Sequence, residues 1–327
     1  VSVPVLCLRP RADFVRAGAE APPALQVEYR DPADADVAAR LAAAQALVIP
    51  AVGPRLDPAL FEGARRLRLV QVTGAGVDRV DGAAMQRLGI AVCNVPGGSN
   101  AAVAEYAVGC AIVLLRRFAW ADAELKAGRY AACRARLLAD NVGGLDGLTV
   151  GLVGLGTIGL AVAQAFARFG ARLCYHDPAP RDAGAAASRG ARALPFDELL
   201  ASSDVVSLHV PLLPQTTGLI GAAQLARMKP GAVLIQAARG GVVDEAALAA
   251  ALRAGRLGGA AIDVYSVEPP GADHPLFALR GEAAARVLFT PHIAGVTRQS
   301  AAHLFREAWS NVARVLVDGE PPRHRVY

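Results

Sequence analysis

Short runs of aliphatic and β-branched residues alternate with alanine-rich stretches at helical spacing along almost the whole chain. A parallel strand buried on both faces reads as a continuous apolar run, and its return path needs a crossover helix. The alternation therefore predicts an α/β fold. In the front part it predicts strands over 3–8, 25–29, 46–49, 69–72 and 90–93. A second series follows over 148–153, 172–176, 205–208, 233–236, 260–263 and 287–289. Two helices stand out. That over 101–117 is apolar on nearly every face except at Glu105 and its last arginines, the pattern of a helix covered by other elements or by a second subunit. The other, over 297–317, closes the series.

Punctuation divides the chain. Val95-Pro96-Gly97-Gly98-Ser99-Asn100 stops one element and can cap the next, so it reads as a hinge, and a glycine-rich passage over 140–147 precedes the strongest strand. At 327 residues the chain exceeds what one core usually supports, so two domains are expected.

Composition narrows the class. The apolar fraction of 54% is inflated by alanine. The longest apolar runs, 101–115 and 205–213, are broken by Glu105 and Pro211 and fall short of the roughly 20 residues a membrane span needs. No basic stretch followed by an apolar core opens the chain, so a soluble, cytoplasmic protein without membrane association is expected. Five cysteines, far apart and without a C-x-x-C pair, speak against a disulfide framework and a zinc site, and no metal is expected. The net charge of +5 comes from scattered arginines, which speaks against nucleic acid as a partner.

Gly154-Leu155-Gly156-Thr157-Ile158-Gly159 has the spacing G-x-G-x-x-G. By itself the spacing is weak, but here it follows an apolar strand, opens an apolar helix over 158–169, and is followed about 20 residues on by Asp177 at the next strand end. Gly154 permits a tight turn, Gly156 lets backbone approach a pyrophosphate, Gly159 lets helix and strand pack closely, and the N–H groups at Thr157 and Ile158 meet phosphate charge. Asp177 is placed to accept from ribose hydroxyls and repels a 2′-phosphate, so NAD is expected over NADP, although Arg181 nearby leaves some NADP use open.

With these residues in place the chain resembles the D-isomer-specific 2-hydroxyacid dehydrogenase family over nearly its whole length. Its most specific stretches are 203–212, 238–245 (Ala-Arg-Gly-Gly-Val-Val-Asp-Glu), 263–269 and 290–295 (Thr-Pro-His-Ile-Ala-Gly). The resemblance implies two Rossmann-like domains with doubly wound parallel sheets. A cofactor domain over 99–291 would be inserted into a flavodoxin-like substrate domain formed by 1–98 and 292–327, and the protein would be a homodimer built around the cofactor domain. It implies Arg239, Glu268 and His292 as the catalytic residues. The chemistry suits them: a guanidinium holds a carboxylate and polarises a ketone, a histidine moves a proton near neutral pH, and a neighbouring carboxylate favours and orients the imidazolium.

The resemblance further implies that Thr73, Gly74, Ala75 and Gly76 receive the substrate carboxylate. It places Asp263 at the nicotinamide amide, has His209, Val210, Pro211, Thr216, Ala237, Ala238 and Gly295 line the cofactor cleft, and sets Asn100 and Val103 at the nicotinamide side. Gln236 departs from the asparagine more usual before the arginine block. Pro50 stands where phosphoglycerate-specific relatives carry arginine, although Arg55 is near, and no lysine marks the loop at Thr73–Val77 as in phosphite-oxidising relatives. Formate-oxidising relatives pair their histidine with glutamine, so Glu268 favours alcohol-to-ketone chemistry. The expected activity is NAD-dependent reduction of a small 2-keto acid such as glyoxylate or hydroxypyruvate. The alternatives are D-3-phosphoglycerate dehydrogenase and a non-enzymatic, corepressor-like sensor of NAD(H).

Overall fold

The computed structural model describes residues 3–179 and 183–327, and Arg181 lies outside them. The chain forms two compact units, one of residues up to Ser99 together with Val296–Tyr327, the other Asn100–Gly295.

The first unit holds β1 (Val3–Cys7), β2 (Leu25–Tyr29), β3 (Ala46–Ile49), β4 (Leu69–Val72) and β5 (Ala91–Cys93), all parallel, in the order β2-β1-β3-β4-β5. β3 and β4 are buried along their whole length, as strands between two helix layers must be, and the one polar residue in them, Gln71, accepts from Asn311 of the last helix. Trp309, Phe305 and Val312 on one face of the last helix, Arg298–Leu316, pack with Phe14 and Val48 against one side of this sheet. That helix starts at Thr297, whose hydroxyl accepts from the Ser300 N–H while the Ser300 hydroxyl accepts from the Thr297 N–H.

The second unit holds β6 (Thr149–Val153), β7 (Arg172–His176), β8 (Ala191–Ala193), β9 (Val205–Leu208), β10 (Val233–Gln236), β11 (Gly259–Ile262) and β12 (Val287–Phe289). All are parallel, in the order β12-β11-β10-β9-β6-β7-β8. The chain leaves β6 toward β7 and β8, then returns to the other side of β6 with β9. The direction of winding therefore reverses between β6 and β9, and ligands of such sheets bind beyond the carboxyl ends of the strands at that point. The apolar helix runs from Asn100 to Leu115 and packs on the helix Thr157–Ala167 and on β10 and β11, with Ala107 and Ala111 fully buried. Two helices follow it, Phe118–Lys126 and Tyr130–Ala139. Arg117, Arg136, Asp140, Glu282 and Arg286 form an ion-pair cluster that ties their far end to the edge of the sheet.

The division between units falls after Ser99 and after Gly295, against the expected 98 and 291. Residues 292–294 stay with the second unit because their three backbone N–H groups are all taken by Asp263: His292 donates to its carbonyl and Ile293 and Ala294 to its carboxylate, each at 2.8 Å.

Candidate active site

Strand register lines the expected residues up along one edge of the second sheet. Val153 pairs with both His176 and Leu208, and Gln236 pairs with both Leu208 and Ile262, which in turn pairs with Phe289. The residues that follow these strand ends therefore emerge at one level: Gly154, Asp177, His209, Ala237, Asp263 and Thr290. The ladder continues past the strands, with Gly154 N–H donating to the His176 carbonyl, His209 to Val153, Asp263 to Gln236 and Thr290 to Ile262.

The three glycines separate by task. At Gly154 (φ +91°) a Cβ would lie 2.5 Å from the His209 carbonyl oxygen, and at Gly159 one would lie 2.3 Å from the Gly154 carbonyl oxygen, so both are required by the fold. Nothing stands within 4 Å of the Cβ position at Gly156. That open face suits the close approach of a ligand. The N–H groups of Gly156, Thr157 and Ile158 meet no acceptor among the described residues and open the helix Thr157–Ala167, so the first turn is fitted to a pyrophosphate. Asp177 accepts from Leu155 N–H and Ala179 N–H, both at 2.8 Å. Each of its oxygens keeps a further lone pair for a ribose hydroxyl.

His209 has its Nε2 2.9 Å from the Ser207 hydroxyl, while its Nδ1 is buried without a partner. Burial pushes its pKa down to about 4, so the ring is neutral. In the loop that follows, the Thr216 hydroxyl donates to the Pro211 carbonyl and accepts from Leu213 N–H, fixing an exposed turn that begins at Val210 and Pro211. Ala237 is half-buried and Ala238 buried. Asn100 donates to the Thr157 carbonyl at 3.3 Å and leaves its Oδ1 buried and unpartnered, and Val103 lies buried one turn on.

Beside the cofactor edge lie the three ionisable residues. His292 Nδ1 is 2.8 Å from Glu268 Oε2, with each side chain about one-quarter exposed. The other Glu268 oxygen accepts from Tyr265 N–H at 3.1 Å. Burial alone would raise the Glu268 carboxyl. The bonds from His292 and Tyr265 and the positive charges of His292 and Arg239 outweigh it and hold the group below its usual value. Arg239 donates from Nη1 to the Ala238 carbonyl. Its turn is braced by the Gln236 side chain, which is 2% exposed, accepts from Ala238 N–H and donates to the Arg239 carbonyl. The departure to glutamine at 236 thus carries a structural task that sequence reasoning left to the backbone. Gly240 brings this turn against the next one: a Cβ there would lie 1.8 Å from the Tyr265 carbonyl oxygen.

Asp263, expected at the nicotinamide amide, is 1% exposed and folds the His292 turn through Ile293, Ala294 and the Thr290 hydroxyl at 2.6 Å. Since Thr290 gives its only hydroxyl proton to Asp263, the Tyr106 phenol, 2.7 Å away, must donate to Thr290. Burial pushes that phenol up, so it remains a donor. His292 itself sits at φ +55°, a left-handed conformation that this bonding sustains. Tyr106 was not foreseen from sequence, and Gln236 and Thr290 were noted there without these bonding roles. The proximity of Thr290 to His292 was the one available signal.

In the first unit Thr73 is buried, and its N–H and hydroxyl both reach the Ile49 carbonyl. Asn94 donates to Ala75 and Val95 N–H to Gly74, while the N–H groups of Gly74, Ala75 and Gly76 meet no acceptor among the described residues. Arg79, also unforeseen, is 4% exposed and clamps the Pro50 and Pro54 carbonyls, and Arg55 pairs with Asp81.

Residues 108–294 match the family described as D-isomer specific 2-hydroxyacid dehydrogenase, NAD binding domain. A D-3-phosphoglycerate dehydrogenase of Archaeoglobus fulgidus is 38% identical over 246 residues, covering 75% of this chain but 45% of that protein, so the chain spans less than half of that relative. A glyoxylate reductase of Korarchaeum cryptofilum is 35% identical over 283 residues, covering 86% of this chain and 80% of that protein. A solved D-lactate dehydrogenase of Treponema pallidum superposes with a TM-score of 0.80 at 27% identity, covering 99% of each chain. A sheet wound like a dinucleotide-binding domain, the open glycine turn and these matches agree: the chain belongs to the D-isomer-specific 2-hydroxyacid dehydrogenase family, and its second unit is that family's NAD-binding domain.

Proposed function

We propose that this protein interconverts a small D-2-hydroxy acid and its 2-keto acid with NAD(H), acting mainly as a reductase on compounds such as glyoxylate or hydroxypyruvate. The observation that carries the reading is the 2.8 Å His292–Glu268 pair, with the Arg239 charge acting on the same carboxylate. Bound NADH supplies the hydride to C2. His292 donates the proton that the developing alkoxide needs, from a ring whose Nδ1 is fixed on an ionised Glu268 so that Nε2 is presented for transfer. Arg239 offers a guanidinium to the substrate carboxylate and ketone oxygen. In oxidation His292 takes the hydroxyl proton.

A phosphorylated substrate is the second reading, favoured by the name of the Archaeoglobus relative. Proline at 50 and the Asp81 pairing of Arg55 weigh against it. A homodimer is also proposed. A groove of about 610 Å³ between the helices Asn100–Leu115 and Thr157–Ala167, together with exposed Phe118, Leu125, Tyr130 and Leu138, offers apolar surface to a second copy. Five buried thiols without a disulfide suit a reducing cytoplasm, and no helix among the described residues is long and apolar enough to cross a membrane. The test is a panel of 2-keto acids, including 3-phosphohydroxypyruvate, with NADH and NADPH side by side. Oxidation of NADH by an unphosphorylated acid supports the reading, and no turnover with any acid defeats it.

A further inference from the structure

Glu245 opens the helix Glu245–Arg253, directly after Asp244, whose carboxylate already caps Ala246 and Ala247. A glutamate in a first turn ordinarily lies in solvent over the helix end, where it gains only from the dipole. This one is 14% exposed and turned away from its own helix. Its Oε1 accepts from Ser266 N–H at 2.8 Å, and its Oε2 is 3.1 Å from His274 Nε2. His274 is 8% exposed and stands edge-on to the Tyr265 ring at 5.5 Å, and the Tyr265 phenol donates to the Thr290 carbonyl.

Ser266 follows Tyr265, whose N–H is held by Glu268. Two successive peptide N–H groups of one turn are thus gripped by two carboxylates, one paired with His292 and the other with His274. Burial first, and then the negative charges of Asp263, Glu268 and Glu245, push the Tyr265 phenol up to about 12. Without Glu245 the Ser266 N–H would have no acceptor among the described residues, and the turn could rotate and carry Glu268 away from His292.

We propose that Glu245 is a positioning residue: by holding Ser266 N–H from behind, it keeps the Glu268 carboxylate aimed at His292. The proposal rests on the reading of Glu268 and His292 as the acid–base pair. What the position requires is an acceptor of glutamate's reach. Glutamine meets that need, keeping an oxygen of the same reach on Ser266 N–H. Aspartate keeps the charge and the helix preference but is one methylene too short.

The variants Glu245→Gln and Glu245→Asp, in the full chain, separate these roles. Glu245→Gln is expected to keep kcat for 2-keto acid reduction within a few-fold of the parent. Glu245→Asp is expected to lower it between roughly ten- and hundredfold, with KM for NADH unchanged, because a displacement near 1 Å at a reacting group costs that much. Amide hydrogen exchange over 264–268 should quicken in Glu245→Asp alone. Full activity in Glu245→Asp, or equal loss in both variants, overturns the proposal. If the parent itself turns over no 2-keto acid, the functional reading fails instead, and the exchange measurement still decides whether Glu245 holds the turn.

Discussion

The contact between Gly240 and Tyr265 offers the sharpest test of how this site is assembled, through Gly240→Ala. The added Cβ would stand 1.8 Å from the Tyr265 carbonyl oxygen, 2.3 Å from its carbon and 2.9 Å from Ser266 N, where ordinary contact begins near 3.4 Å. All three neighbours are backbone, so no flexible side chain can swing aside, and the two turns must part by more than an ångström. The Tyr265 side of the contact is held by Glu268 and, through Ser266, by Glu245, while the other side carries Arg239 on the preceding residue. Parting therefore separates Arg239 from Glu268. Overpacking of this kind costs about 1–3 kcal/mol, and each kcal/mol lowers Tm by about 2–4 °C in a domain of this size. A misplacement of about 1 Å lowers turnover roughly a hundredfold. The assay is steady-state reduction of the best 2-keto acid with NADH, beside a thermal melt and an NADH fluorescence titration. Gly144→Ala, where nothing lies within 4 Å, serves as the control. Wild-type kcat/KM in Gly240→Ala would refute the claim that this turn-to-turn contact sets the spacing of the ionisable residues.

Three further variants test the site. Glu268→Gln replaces a charge-assisted bond by a neutral one, worth about 1 kcal/mol or more, so kcat for reduction at neutral pH should fall roughly tenfold. Because Glu268 is held below its usual value in the folded state, its contribution to stability is complete above the ordinary carboxylate range and is lost as pH falls through and below it. The melting difference between parent and Glu268→Gln should shrink over that window. His209, pushed down from 6.5 to about 4, stays neutral while the unfolded chain protonates, so the cofactor-free protein should lose stability as pH falls from 6.5 toward 4, and His209→Gln should lack that part of the loss in pH-dependent melts. Gly156→Ala should leave the melting temperature unchanged, since its Cβ meets nothing, but raise the Kd for NADH roughly tenfold or more in a fluorescence titration, since the methyl occupies the face where phosphate would approach.

Much of the second unit was legible in advance because its signals are local. The glycine sextet, the apolar strand before it and the acid at the next strand end lie within one βαβ unit, and the structure places them on β6, the helix Thr157–Ala167 and the end of β7. The strand β8, Ala191–Ala193, was not read, because three residues with two exposed at a sheet edge carry no apolar run. The helices Phe118–Lys126 and Tyr130–Ala139 have few buried residues and thus little amphipathic pattern to announce them. Side chains that brace the site were illegible for a different reason. Glu245 and Tyr106 act through hydrogen bonds to partners that only the tertiary fold brings near, and Gln236 acts through bonds within its own turn that carry no sequence pattern.

The convergence of Arg239, Glu268 and His292 follows from sheet order, which no local pattern encodes. β10, β11 and β12 are consecutive in sequence and adjacent in space, and their carboxyl ends are in register at Gln236, Ile262 and Phe289. Whatever follows each strand by a few residues must then meet whatever follows the next, so one arginine, one glutamate and one histidine placed just past three successive strands become neighbours without any long-range design. The cost is carried by the turns, which must hold charged groups half-buried at a sheet edge. That is why Gln236, Asp263 and Glu245, each an additional polar side chain spent on backbone N–H groups, sit directly behind them.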